Sequence, residues 1–167
     1  YFALRTVGTA KIGGKSYITL NEKPYFFHGL LDQGYYSDGI YTPAAPECYA
    51  EDILAMKKLG FNTLRKHIKI EAEDFYYQCD KLGMIVFQDM VNNGDYNFLR
   101  DTALPTVGIQ TRNDKNLHKD RLHRLCFLMN AAKAVSQLRN HPSICYWTIF
   151  NEAWGQFDSD GVYEWFR

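Results

Sequence analysis

Apolar positions along the chain follow two patterns. In some stretches they recur every three or four residues; in others they run unbroken and stop at a polar pair. The residues up to Pro24 belong to neither: "KSYITL" alternates and "NEKP" is a polar turn ending in proline, which predicts short strands and a turn. "YFFHGLL" (25–31) is a compact apolar run ending at Asp32 and Gln33, and a Gly/Tyr/Pro-rich loop, "GYYSDGIYTPAAP", follows it. Pro46 then suits a first helical turn, Ile53, Met56 and Leu59 keep a helical period, and Gly60 is placed to end the helix.

"FNTLRKH" (61–67) resumes as a strand. "EAEDFYYQCDKLG" (71–83) reads as a second helix, with acidic residues where the helix dipole favours them and Gly83 at its end. "MIVFQDM" (84–90) is an apolar strand closing on Gln88 and Asp89. After a long loop, a third helix is predicted over 117–138, with Leu122, Leu125, Met129, Ala132 and Val135 as its apolar positions. Asn140 and Pro142 stop it, and "SICYWTIF" is the fourth strand, closing on Asn151 and Glu152.

The order is β-α-β-α-β-α-β, and "KKLGFNTLR" and "DKLGMIVFQ" are nearly the same helix–glycine–strand phrase. Strands that read as unbroken apolar runs belong in a parallel sheet covered by helices. A closed (β/α)8 barrel and an open doubly wound sheet both fit. The chain has no G-x-G-x-x-G after its first strand and no G-x-x-x-x-G-K-[ST], so the phosphate-binding open sheets lose support.

Composition narrows the function classes. Apolar residues make up 46% and charged residues 23%, enough for a core and unlike a disordered chain. The 19 Lys and Arg balance the 19 Asp and Glu without a basic block, which argues against nucleic acid or an anionic membrane surface as partner. Cys48, Cys79, Cys126 and Cys145 form no C-x-x-C pair and sit in apolar-periodic segments. They read as reduced, buried residues in a reducing, cytoplasmic setting, without a zinc site. His118 and His123 are five apart on a helix and so face differently, which excludes a metal pair. His141 reads as a structural cap. No cofactor is expected.

Polar residues close every strand: Asp32 and Gln33, Arg65 and His67, Gln88 and Asp89, Asn151 and Glu152. In parallel α/β folds those ends converge on one mouth, where functional groups sit. A carboxyl shielded by Trp147 or Trp154 would stay protonated near neutral pH, the condition for a general acid. Arg65 could hold a second carboxylate ionised, and Asn151 could donate to a hydroxyl. One acid and one ionised carboxylate acting on an uncharged, hydroxyl-rich substrate describe glycoside hydrolysis. A carbohydrate-binding barrel without chemistry, and a metal-dependent hydrolase or lyase, are the other classes open to such a fold.

"NHPSICYWTIFNEAWG" (140–155) resembles the fourth-strand signature of glycoside hydrolase family 2, the group of β-galactosidases, β-glucuronidases and β-mannosidases. "LNEKPYFFHGLLDQGYY", "GFNTLRKH" and "YYQCDKLGMIVFQDM" resemble that family's first three barrel strands in order, and "YFALR" the exit from a preceding β-sandwich. The resemblance implies an α/β fold, the first half of a (β/α)8 TIM barrel over 24–167, after the end of a β-sandwich and linker strands over 1–23. It implies a retaining hydrolase of O-glycosidic bonds with a β-glycoside as substrate. Glu152 is then the acid/base, Asn151 the donor to the sugar 2-hydroxyl, and Arg65 the arginine that steadies the nucleophile. Asp32, His67, Asp89 and Trp154 are further expected substrate-binding residues. "FQDM" leans toward mannosidase-like members and "NEAWG" toward galactosidase and glucuronidase members, so the sugar is undecided. The family's nucleophile glutamate comes from the seventh strand and matches no residue here. The 167 residues are therefore expected to be inactive alone, and uncovered sheet edges to favour self-association into a homo-oligomer.

Overall fold

Two glycines placed where helical periodicity ends set the rhythm of the α/β region. Gly60 (φ 93°) and Gly83 (φ 69°) both take the left-handed conformation that turns a helix end toward the next strand. At Gly83 the backbone amides of Gly83 and Met84 both donate to the Cys79 carbonyl, and the chain leaves directly into a strand. The computed structural model describes every residue except Asn93, Asp95, Gln110, Thr111, Arg112, Ala153 and Trp154.

In chain order, β1 (Val7–Ile12), β2 (Lys15–Leu20) and β3 (Lys23–Pro24) form a three-stranded antiparallel sheet. β1 and β2 turn through Gly13 and Gly14, both at positive φ, the chemistry of a two-residue hairpin. Then come β4 (Gly29–Asp32), α1 (Glu47–Lys58), β5 (Thr63–Lys66), α2 (Glu73–Leu82) and β6 (Ile85–Asp89). A π-helical turn at Leu99–Ala103 and the short α3 (Leu104–Thr106) precede α4 (Arg121–Leu138), β7 (Ile144–Thr148) and α5 (Ser159–Phe166). The second sheet has the order β4-β5-β6-β7, with β4–β5 and β5–β6 parallel. Strand, helix, strand in sequence and in space is the pattern of successive βα units of a (β/α)8 barrel.

The chain divides into two compact units. The first comprises Tyr1–His67, Glu71–Gln88 and Leu138–Tyr146. Its core is built from Ile53 of α1, Leu64 of β5, Phe75, Tyr76 and Cys79 of α2, Met84, and Val86 of β6, all buried. β4 starts later than its apolar run suggests, because the Asn62 side chain fixes its approach: it donates to the Phe26 carbonyl and accepts from the His28 amide at 2.9 Å each. Phe27 in that approach packs on Phe87 at 5.1 Å between ring centres.

The second unit comprises Ile68–Ile70, Asp89–Gln137 and Trp147–Arg167. Its core gathers Met90, Ala131 and Ala134, with Ile70, Phe127, Val135, Trp147 and Phe166 packed around them. Here the sequence expectation for α4 is corrected. Leu122, Leu125 and Met129 are exposed, and the helix packs instead through Ala131 and Ala134, whose small side chains allow close approach. Cys126 on the same helix is exposed too; of the four thiols only Cys79 is buried. The stretch read as a continuous loop before α4 holds the π-helical turn and α3.

Candidate active site

Side chains alternate across a strand, so on β5 Thr63 and Arg65 share one face and Leu64 and Lys66 the other. Leu64 and Lys66 are both fully buried, and the Lys66 ammonium stands 4.5 Å from the Phe75 ring centre on α2, which marks theirs as the helix-covered face. Arg65 is turned to the opposite face, part-buried, in register with Leu31 on β4 and Phe87 on β6. That is the face from which a barrel strand addresses the mouth. Gln88, in register with Lys66, is directed under α2 and accepts the Tyr76 hydroxyl at 2.6 Å.

Lys66 organises the end of β4 and the start of α2. Its Nζ donates to Asp32 Oδ2 at 3.0 Å and lies 2.5 Å from Glu71 Oε1. Asp32 Oδ1 also accepts the Gly34 amide at 2.8 Å, and the His67 amide donates to the Asp32 carbonyl at 2.8 Å. His67 Nδ1 is 3.5 Å from Gln33 Nε2. The Tyr49 hydroxyl reaches Glu71 Oε2 at 3.3 Å. Burial, aided by the Glu71 charge, pushes the Tyr49 phenol up to about 12, and burial with the Glu71 and Asp32 charges pushes Tyr36 higher still. Desolvation and the neighbouring Asp32 charge also raise the Asp52 carboxyl. Asp32, Arg65 and His67 are thus gathered at two adjacent strand ends, with Asp32 held as an ion-pair partner of Lys66.

In the second unit, Asp89 ends β6 fully buried, and the Met90 amide donates to the Thr148 carbonyl of β7 at 2.8 Å. β7 stops at Thr148, and Asn151 and Glu152 follow it in a bend and turn. Asn151 is buried and Glu152 exposed. Glu152 takes a left-handed backbone, φ 54°, which a residue with a side chain seldom adopts. Trp147 packs against the Met90–Ala131–Ala134 cluster. Trp154 lies outside the described residues.

Sequence reasoning missed Lys66, Glu71 and Asn92. For Lys66 a signal existed: a lysine in phase with Leu64 inside an apolar strand must be buried, and a buried lysine needs carboxylates. Asn92 gave none, because it sits in a polar stretch, "VNNGDYN". Among the described residues no group of three or more His, Cys, Asp and Glu side chains could hold a metal ion.

The family described as glycosyl hydrolases family 2, TIM barrel domain, matches residues 12–167. The chain belongs to that family. Among curated family 2 relatives, it is 26% identical to a β-galactosidase of Leuconostoc mesenteroides over 98% of this chain and 14% of the relative. It is 27% identical to human β-glucuronidase over 96% of this chain and 21% of the relative. The chain thus spans well under a third of those proteins. Among solved structures, a family 2 β-galacturonidase from Eisenbergiella tayi bound to galacturonate superposes with a TM-score of 0.70 at 18% identity, covering 98% of this chain and 24% of that one. A β-glycosidase from Bacteroides vulgatus gives the same TM-score and identity. These likenesses establish the fold as that of a family 2 TIM barrel, of which this chain forms four successive βα units.

Proposed function

We propose that this chain supplies the acid/base side of a retaining β-glycosidase active site. Glu152 protonates the glycosidic oxygen as the bond to the anomeric carbon breaks, then takes a proton from the water that releases the sugar. The nucleophile is a glutamate outside these residues, on a later strand of the same barrel. Asn151 donates to the sugar 2-hydroxyl and Arg65 steadies the nucleophile's charge. We assign Asp32, His67, Asp89 and Trp154 as further substrate-binding residues, and residues 1–23 as the end of a preceding β-sandwich with its linker strands.

The observation that carries this reading is an exposed Glu152 just beyond the C-terminal end of β7, in a chain that belongs to family 2. A proton donor must be reachable by substrate, and this one is. The test is turnover of a panel of chromogenic β-glycosides by the polypeptide extended through a complete barrel, with Glu152→Gln beside it. One preferred sugar on the panel, and activity of the variant on an alkyl glycoside of that sugar lower by about 100-fold or more, support the reading. Binding of sugar without turnover would indicate a carbohydrate-binding barrel, and full activity of Glu152→Gln on an alkyl glycoside of that sugar, whose departing oxygen needs a proton, would overturn the assignment.

A further inference from the structure

The residue that leads into Glu152 is gripped through both of its backbone polar groups by one side chain. The Asn151 amide donates to Asn92 Oδ1 at 3.1 Å, and Asn92 Nδ2 donates back to the Asn151 carbonyl at 3.2 Å. Asn92 and Asn151 are both buried. A side-chain amide offers one donor and one acceptor side by side, so it can stand in for a neighbouring strand where the ladder has ended. The carbonyl it holds is that of the Asn151–Glu152 peptide bond, so the grip fixes the plane from which the Glu152 side chain departs.

Three further observations show that this turn is over-determined. Phe150, the residue before Asn151, is stacked on Phe127 of α4 at 5.0 Å and meets Phe157 at 5.5 Å. Beyond Glu152, the loop of Asn92 touches backbone to backbone: a Cβ on Gly94 would stand 2.6 Å from Gly155 Cα. Glu152 itself holds the left-handed φ of 54°, a conformation that persists in a side-chain-bearing residue only when its surroundings impose it.

We propose that Asn92 is a positioning residue for Glu152: it holds the acid/base carboxyl in line with the glycosidic oxygen by clamping the backbone amide and carbonyl of Asn151, the residue before it. The inference rests on the proposed acid/base role of Glu152. A purely structural asparagine would satisfy the same two buried polar groups, but it would not make the rate depend on the leaving group. A misaligned acid costs most where the departing oxygen needs its proton, and little where it leaves as a stable anion.

The experiment compares kcat/KM of the complete-barrel polypeptide on one sugar carrying either an alkyl or a dinitrophenyl leaving group, with circular dichroism as the check on folding. Asn92→Ala should lose about 10- to 100-fold on the alkyl glycoside, the range expected for a small misplacement, and less than about 3-fold on the dinitrophenyl one. Asn92→Asp can accept from the Asn151 amide but cannot donate to its carbonyl. It should give a smaller loss with the same leaving-group dependence, and it carries the test if the alanine variant does not fold. Equal losses on both substrates, or none, in a folded variant would overturn the proposal. Glu152→Gln separates the two claims. If it shows no leaving-group dependence, the acid/base assignment itself fails; if it does and the Asn92 variants do not, only the positioning role fails.

Discussion

Lys66 Nζ lies 2.5 Å from Glu71 Oε1, and both side chains are closed to water. A buried ion pair of this kind adds little over a well-packed apolar pair, but removing one partner leaves a charge in a medium that cannot solvate it. Lys66→Met would strand Glu71 and Asp32 together. It should cost about 3–5 kcal/mol in urea denaturation. Glu71→Gln should cost less, since Lys66 keeps Asp32 at 3.0 Å. A Lys66→Met loss below about 1 kcal/mol, the scale of a surface pair, would show that water reaches this cluster.

Gly83 ends α2 at φ 69°, and the nearest atom to a Cβ built there is Lys57 Nζ at 3.9 Å. There is room for a methyl group, so a substitution would be penalised by backbone conformation alone. Gly83→Ala should lower stability by about 1–2 kcal/mol, the cost of the left-handed region for a residue with a side chain. Thermal unfolding checks it, and an unchanged melting temperature would mean the helix end can re-form without that turn.

Much of this architecture was legible because local and tertiary signals agree. On α2 the acidic first turn, the buried Phe75, Tyr76 and Cys79, and the terminal glycine all specify one helix in one orientation. On α4 they do not agree. Apolar residues such as Leu122, Leu125, Phe127, Leu128, Met129 and Val135 are spread around the helix, so periodicity could not pick the face that packs through Ala131 and Ala134. At the candidate site, Glu152 and Asn151 were readable from their motif and Arg65 from its strand. The left-handed turn at Glu152 and its clamp by Asn92 depend on a pairing 59 residues apart that no local pattern encodes.

The four thiols should separate by accessibility. Cys126 is exposed on α4, Cys48 and Cys145 are part-buried, and Cys79 is buried, with burial pushing its thiol far above the usual range and Cys145 up as well. The thiolate attacks the carbon of an alkylating reagent and displaces iodide, so reaction needs both ionisation and access. Iodoacetamide at pH 8 followed by peptide mass spectrometry should find Cys126 modified first and Cys79 only after denaturant is added. Early labelling of Cys79 would mean that α2 opens readily from the sheet.

Asp114 caps α5 from a distant loop. Its carboxylate accepts the Ser159 amide at 3.1 and 3.2 Å and Gln156 Nε2 at 2.8 Å, while its carbonyl accepts the Asp158 amide at 3.2 Å. Asp158, at the N-cap position, makes no side-chain cap of its own. Burial pushes the Asp114 carboxyl upward, but the hydrogen bonds from Gln156 and Ser159 together outweigh it and hold the group below the ordinary carboxylate value. The folded state therefore binds this proton less readily than the unfolded chain does. The resulting stabilisation is fully present above the unfolded value, about 3.9, and is lost as pH falls through the lower folded value. Asp114→Ala should destabilise by about 1 kcal/mol at pH 7, as expected for loss of a helix cap. Urea denaturation at pH 7 and below pH 3 should show the gap between variant and parent narrowing at the acid end. A gap that stays constant with pH would mean that the cap works through its shape and not through its charge.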